Sequence, residues 1–227
     1  MTEAVLFDVD GTLVDSNDGH ARAWVAAFGE AGYAIPFARV RPLIGMGGDR
    51  ILPLMVPGLT DDEGVGKTIG ERRGAIFLAR ELPNVQPFPG ARALLEAVRA
   101  RGGRVVIATS AKRAELSQLL ARGDLEPLVD VASTSDDADA SKPAPDIIEA
   151  ALAKAGVAPH AAVMVGDTQY DIESAHRAGI SCVALRCGGA DPATLRAADA
   201  LYRDPAELVG SLPLPPFAWA TASSIAE

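Results

Sequence analysis

Two aspartates one residue apart, Asp8 and Asp10 in FDVDG, close a short apolar run near the start of the chain, and a second pair, Asp167 and Asp171, follows another run far downstream. A third run ends in Thr109 and Ser110, and Lys142 lies in SKPAPD between two of the runs. Four carboxylates gathered in one place repel one another unless a cation sits among them, and oxygen-only ligands select a hard ion such as Mg²⁺. The same ion would bridge to a substrate phosphate and offset the repulsion between that dianion and an attacking carboxylate. A carboxylate nucleophile splits one slow displacement into two easier ones, and a carboxyl group two residues away can alternate as acid and base. In a helix opening, the four-residue spacing from Asp167 to Asp171 places both on one face.

These residues can meet only if the elements carrying them end at the same edge. AVLFDVD, RVVIATS and AAVMVGD are the clearest apolar runs, with LVDVAS and SCVALRC weaker, and all read as parallel strands buried on both faces. Between them lie helical patterns such as ARALLEAVRARGG and KRAELSQLLARG, so the expected fold is α/β, a doubly wound parallel sheet with a Rossmann-like core. Ligands of such sheets bind beyond the carboxyl ends of the strands, where the chemistry-bearing residues fall. From 15 to 82 the pattern is helical without a convincing strand, as in GHARAWVAAFGEAG, where Trp24, Ala27, Phe28 and Ala31 recur at helical spacing. This predicts a core of 1–14 and 83–212, a helical insertion at 15–82 rejoining through the proline-rich PNVQPFPG, and a C-terminal tail at 213–227 that hugs the surface or frays.

FDVDGTLVDS, a strand ending in Thr109, the lysine of SKPAPD and GDTQYD occur in the order of the four motifs of the haloacid dehalogenase superfamily, and the chain resembles that family from Phe7 to Asp171 and through the strand that follows. The insertion resembles the helical caps of phosphoglycolate phosphatase and β-phosphoglucomutase. The resemblance implies that Asp8 is the nucleophile forming an aspartyl phosphate and that Asp10 protonates the leaving oxygen and then activates water. It implies further that the Thr109 hydroxyl and the Ser110 N–H hold the phosphoryl group, and that Lys142 neutralises the phosphate and Asp8. The metal site would be built from Asp8, Asp167, Asp171 and the backbone carbonyl of Asp10. A Mg²⁺-dependent phosphatase acting on a small phosphorylated metabolite, a phosphoglycolate or a sugar phosphate, is therefore expected. The alternatives are a phosphosugar mutase and, in a different class, a non-catalytic phospho-switch or phosphometabolite-binding module. Dehalogenase relatives lack the second aspartate of the first motif, which Asp10 supplies here.

On the insertion, His20, Arg50, Lys67, Arg72 and Arg73 are candidates for reading the organic part of the substrate, with surface charge as the competing account. His20 leads because it resembles a histidine of the mutase-like members, and Arg50 is retained as a second substrate-binding candidate. Gly45 to Gly48 could approach a ligand through its backbone or simply connect helices, and Lys112 could reach the phosphate or sit in solvent. The net charge of −9 over 227 residues and the lack of a basic stripe oppose nucleic acid or an anionic membrane as partners. No leader-like or membrane-spanning run is present near the start, and a cytoplasmic enzyme is expected. Cys182 and Cys187, placed on opposite faces of one strand about 16 Å apart, could not pair with each other. The oligomeric state is left open.

Overall fold

Short β-branched and apolar runs become the strands of one sheet in the computed structural model, which describes residues 1–219. In chain order these are β1 (Ala4–Phe7), β2 (Arg104–Ala108), β3 (Val131–Ser133), β4 (Ala162–Gly166), β5 (Ser181–Leu185) and β6 (Ala200–Tyr202). All neighbours pair in parallel, in the order β3-β2-β1-β4-β5-β6. Strands of this kind need cover on both sides, and alternate residues supply it. Val5, Phe7, Val105, Ile107, Val163, Val165, Val183 and Leu185 belong to one buried cluster. Ala4, Leu6, Val106, Ala108, Met164, Cys182 and Ala184 belong to the other.

Helices α5 (Ala91–Ala100), α6 (Arg113–Ala121) and α9 (Pro205–Ser211) contribute to the first cluster, and α7 (Asp146–Ala155) and α8 (Gln169–Arg177) to the second. The strand order reverses at β1, which lies between β2 and β4, so the crevice opens where β1 and β4 end.

None of the six strands falls between 15 and 82. That stretch carries α1 (Asn17–Glu30), α2 (Phe37–Val40), α3 (Gly48–Met55) and α4 (Gly64–Ile76), the last running into a π-helical turn, Phe77–Glu81. Helix α1 buries Trp24, Ala27 and Phe28 as its spacing predicts, but it ends before Ala31, which is exposed.

One sequence expectation needs revision, and one strand went unread. The strand in SCVALRC stops at Leu185, and Cys187 lies in the following turn, closed by the Gly189 N–H to the Arg186 carbonyl. Both thiols are free. The edge strand β6 escaped the sequence reading because it has three residues and a half-exposed pattern. Of the tail, expected to hug the surface or fray, Phe217 is buried and the Trp219 indole donates to the Leu212 carbonyl at 2.8 Å, while 213–215 are exposed and 220–227 lie outside the described residues. Among the described residues no helix is long and apolar enough to cross a membrane.

Candidate active site

The β1–β4 ladder continues one residue past the strand, because the Asp8 N–H donates to the Val165 carbonyl at 2.9 Å. Asp8 and Asp167 thereby meet at adjacent strand ends. Beyond Asp8 the chain reverses tightly, with the N–H groups of Leu13 and Val14 donating to the Val9 carbonyl. Gly11 makes that turn possible on two counts. Its φ is +79°, and a Cβ there would lie 2.1 Å from Asn17 Nδ2 and 2.2 Å from Asp167 Oδ2. Gly188 has the same steric role on the opposite side, since a Cβ would fall 1.8 Å from Asp167 Oδ2.

One ligand-capable oxygen each from Asp8, Asp167 and Asp171 lies within 4.8 Å of the others, and all three residues are buried. Lys142 is fully buried among them, its Nζ donating at 2.7 Å both to Asp8 Oδ1 and to Asp171 Oδ1. The other oxygen of Asp171 accepts from the Thr168 hydroxyl at 2.6 Å and from the Thr168 N–H at 3.0 Å. Asp171 therefore caps α8 and anchors Lys142 at once. Asp167 accepts from Asn17 Nδ2 at 2.8 Å and from the Thr12 hydroxyl at 3.3 Å.

Three carboxylates against one ammonium leave an excess of negative charge in a buried site. Burial, with Asp171 and Asp10 adding repulsion, pushes Asp8 up to about 7 even though Lys142 pulls the other way. Burial, Asp171 and Asp8 likewise hold Asp167 well above the usual carboxylate range. Burial opposes the charge on Lys142, yet Asp171 and Asp8 outweigh it and raise its pKa. Such a cluster can bind a metal, and its all-oxygen donor set suits a hard cation.

The Asp10 carboxylate is separate from this cluster. It accepts from Ser16 Oγ and lies 2.8 Å from His20 Nε2. Burial works against its charge, but His20 and the Ser16 hydroxyl hold its pKa below the ordinary value. His20 stacks on Phe77 with ring centroids 3.8 Å apart, which fixes the imidazole toward Asp10.

A cleft joins these groups. Asp8, Asp10, Thr109 and Ser110 line it from the strand ends, and His20, Trp24, Arg73 and the backbone of 44–48 from the helical side. Thr109 Oγ1 accepts from the Ala111 N–H at 3.1 Å, leaving its own proton available. Gly45 and Gly47 line the cleft and also tie the two sides together, through Ser110 Oγ to the Gly45 carbonyl at 3.1 Å and the Gly47 N–H to Ser141 Oγ at 2.9 Å. Arg41 Nη2 to the Gly188 carbonyl, 2.6 Å, and the Tyr170 hydroxyl to the Pro42 carbonyl, 2.9 Å, add to that closure.

Several sequence candidates are placed elsewhere. Arg50 is outside the cleft lining; it is half-exposed and pairs with its neighbour Asp49 at 3.4 Å, because α3 turns it outward. Arg72 pairs with Glu30 on the surface, and Lys67 and Lys112 line a neighbouring depression. Sequence reasoning missed Asn17, Thr12, Ser16 and Glu115. The last lies in KRAEL, indistinguishable by pattern from a solvated helix position, yet it is buried and accepts from Arg73 Nη1 at 2.8 Å.

Residues 5–185 match the family described as haloacid dehalogenase-like hydrolase. The chain is 33% identical over 217 residues to a phosphoglycolate phosphatase of Rhodospirillum rubrum, covering 92% of this chain and 90% of that one. It is 30% identical to a phosphorylated carbohydrates phosphatase of Thermotoga maritima, covering 78% and 82% respectively. The crystal structure of a hydrolase from Pseudomonas syringae superposes with a TM-score of 0.86 at 30% identity, covering 93% of this chain and 98% of that one. With its parallel sheet, its aspartates at the ends of β1 and β4, and sequence likeness along most of its length, the chain belongs to the haloacid dehalogenase-like hydrolase family.

Proposed function

We propose that this enzyme is a Mg²⁺-dependent phosphatase that hydrolyses a small phosphate monoester through an aspartyl phosphate on Asp8. The observation that carries the reading is the Asp8 carboxylate, which lines the cleft, lies buried 2.7 Å from the Lys142 ammonium and is grouped with Asp167 and Asp171. The phosphatase names of the relatives from R. rubrum and T. maritima support it.

Mg²⁺ fits the residues present: three carboxylates supply oxygen donors, one ammonium leaves their charge unbalanced, and the buried Asn17 Oδ1 lacks a partner that a water on the ion could supply. When bound, the ion would neutralise Asp8 and the phosphoryl oxygens together. Asp8 then attacks phosphorus as the ester P–O bond breaks, with Lys142 offsetting the charge that gathers on Asp8 and the phosphoryl group. The Thr109 hydroxyl and the Ser110 N–H are the donors for the remaining oxygens. Asp10 gives its proton to the leaving oxygen. It then takes a proton from the water that attacks the aspartyl phosphate, releasing inorganic phosphate and regenerating Asp8. His20 and Ser16 favour the charged, basic form of Asp10, and an arriving phosphate dianion favours the protonated form by repulsion.

In this reading residues 15–82 act as a cap over a core of 1–14 and 83–212, excluding bulk water during the transfer. The test is turnover of p-nitrophenyl phosphate, which excess chelator should abolish and Mg²⁺ restore; Ca²⁺ should inhibit because it favours looser, higher coordination. Full activity in chelator removes the metal from the mechanism.

A further inference from the structure

We propose that the cleft selects a phosphate monoester whose organic part carries hydroxyl groups and no second anionic group, with the Glu115–Arg73 pair recognising a hydroxyl. The inference rests on the phosphatase reading above and narrows its substrate class.

The ionisable groups lining the cleft are Asp8, Asp10 and Glu115 on the acidic side and His20 and Arg73 on the basic side. Both basic groups already have acidic partners. His20 is held by Asp10 at 2.8 Å, and Arg73 Nη1 donates to Glu115 Oε2 at 2.8 Å. A substrate bearing a carboxylate or a second phosphate thus meets no uncommitted cation in the cleft. The neighbouring depression has no net surplus of cations, since Lys67, Lys112 and Arg73 share its lining with Asp49, Asp61 and Glu71.

Arg73 cannot readily be diverted. It reaches from α4 to Glu115 on α6, its guanidinium lies 5.4 Å from the Trp24 ring centroid, and the two side chains are only 16% and 8% exposed. Pulling Arg73 toward a substrate anion would strand a buried carboxylate, the unfavourable way to open such a pair. A hydroxyl avoids that conflict, because it can donate to Glu115 and accept from Arg73 in the same pose. Glu115 does not saturate the guanidinium, since the buried Arg73 Nε has no partner. A carboxylate or phosphate can only accept, and it would face Glu115 with like charge. Of the two substrate types in the relatives' names, phosphoglycolate carries such a carboxylate and phosphorylated carbohydrates carry hydroxyls; the Glu115–Arg73 pair suits the second.

The experiment compares kcat/KM of the Mg²⁺-loaded wild-type enzyme on glycerol 3-phosphate, ethyl phosphate, phosphoglycolate and a sugar bisphosphate, with p-nitrophenyl phosphate alongside. Glycerol 3-phosphate should exceed both phosphoglycolate and the bisphosphate by about ten- to a hundred-fold, and should exceed ethyl phosphate as well, the discrimination expected of buried polar groups matched to a hydroxyl. In Glu115→Gln, Arg73 is freed to take an anion, so the ratio of phosphoglycolate to glycerol 3-phosphate should rise by roughly tenfold. Phosphoglycolate or the bisphosphate equalling glycerol 3-phosphate on the wild type overturns the inference while leaving the phosphatase reading intact, as does an unchanged ratio in the variant. No turnover of any ester, p-nitrophenyl phosphate included, overturns both. The wild-type panel decides the matter by itself if the variant does not fold.

Discussion

The two sides of the cleft are built on different principles. On the strand side, Lys142 links Asp8 and Asp171 through short, buried, charged contacts, and Asp8 and Asp167 follow paired strands, so sheet register sets the positions of those two. On the helical side, His20, Trp24 and Arg73 come from α1 and α4, and they are held by stacking, by the His20 contact to Asp10 and by an ion pair from Arg73 across to α6. The first arrangement is a preorganised charge cluster in which every member is costly to remove. The second is a wall of fewer and softer contacts, which can vary in identity without dismantling the chemistry. On the proposed function, reaction type would belong to one side and selectivity to the other.

The largest test of that division is at Asp8 and Asp10. Asp8→Asn removes the nucleophile, and neither turnover nor a covalent phosphoenzyme should be detectable with any ester. Asp10→Asn leaves Asp8 in place but should slow alkyl phosphate turnover by roughly a hundred-fold to ten-thousand-fold, the usual loss with a general acid. With p-nitrophenyl phosphate, whose leaving group needs no proton, this variant should accumulate an adduct of one phosphoryl group mapping by mass spectrometry to Asp8. An adduct at Thr109, Ser110 or a histidine would sink the aspartyl-phosphate mechanism.

The charge cluster should also show itself in stability. Asp8 titrates near 7 in the metal-free fold against an ordinary 3.8, so between those values the folded state holds a proton that the unfolded chain has released. Stability of the metal-free protein should therefore fall as pH rises through that window, and Asp167, whose pKa burial also raises, should add to the fall. Mg²⁺ replaces that proton, so the gap in Tm between Mg²⁺-loaded and chelated protein should widen from pH 5 to pH 8. A gap independent of pH would show that the ion does not engage the cluster.

A smaller effect is expected at His20, where the two sides touch. His20→Ala should lower alkyl phosphate turnover by about tenfold and affect p-nitrophenyl phosphate less, since the aryl ester makes less use of a positioned Asp10. Because His20 is the chief group lowering the Asp10 pKa, the acidic limb of the pH–rate profile should move to higher pH in the variant. Equal losses on both esters with an unmoved profile would assign His20 to packing against Phe77 alone. At the bottom of the scale, Arg50→Ala should change kcat/KM less than twofold and stability by no more than about 0.5 kcal/mol, as for an ordinary surface position. A larger loss would bring Arg50 into the cleft after all.

Much of the strand side was legible in the chain because its signals are local. An apolar run buried on both faces must end where polar residues begin, so Asp8, Thr109 and Asp167 announce both their strands and the edge at which they gather. Asp171 was legible through its spacing from Asp167, and Lys142 only through motif order, since nothing local foretold its full burial between two aspartates. The limits were equally physical. β6 is too short and too exposed to carry a period, and SCVALRC has no residue to mark where its strand stops.

The helical wall depended on contacts between segments far apart in the chain. Arg50, Arg72 and Arg73 have the same chemistry in sequence, yet only Arg73 turns inward, because α4 packs on α1 in a way that aims it past Trp24 to Glu115. Asn17 binds Asp167 across 150 positions, and the need for glycine at 188 arises only because Asp167 presses against it. The sequence by itself determined the α/β architecture, the charged groups at the strand ends and the hard-cation chemistry they imply, since hydrophobic period and residue type are properties of the local chain. Which cation of the insertion lines the cleft, and that Glu115 pairs with it, was decided only by tertiary structure, because helical period specifies which face is buried but not which distant group it meets.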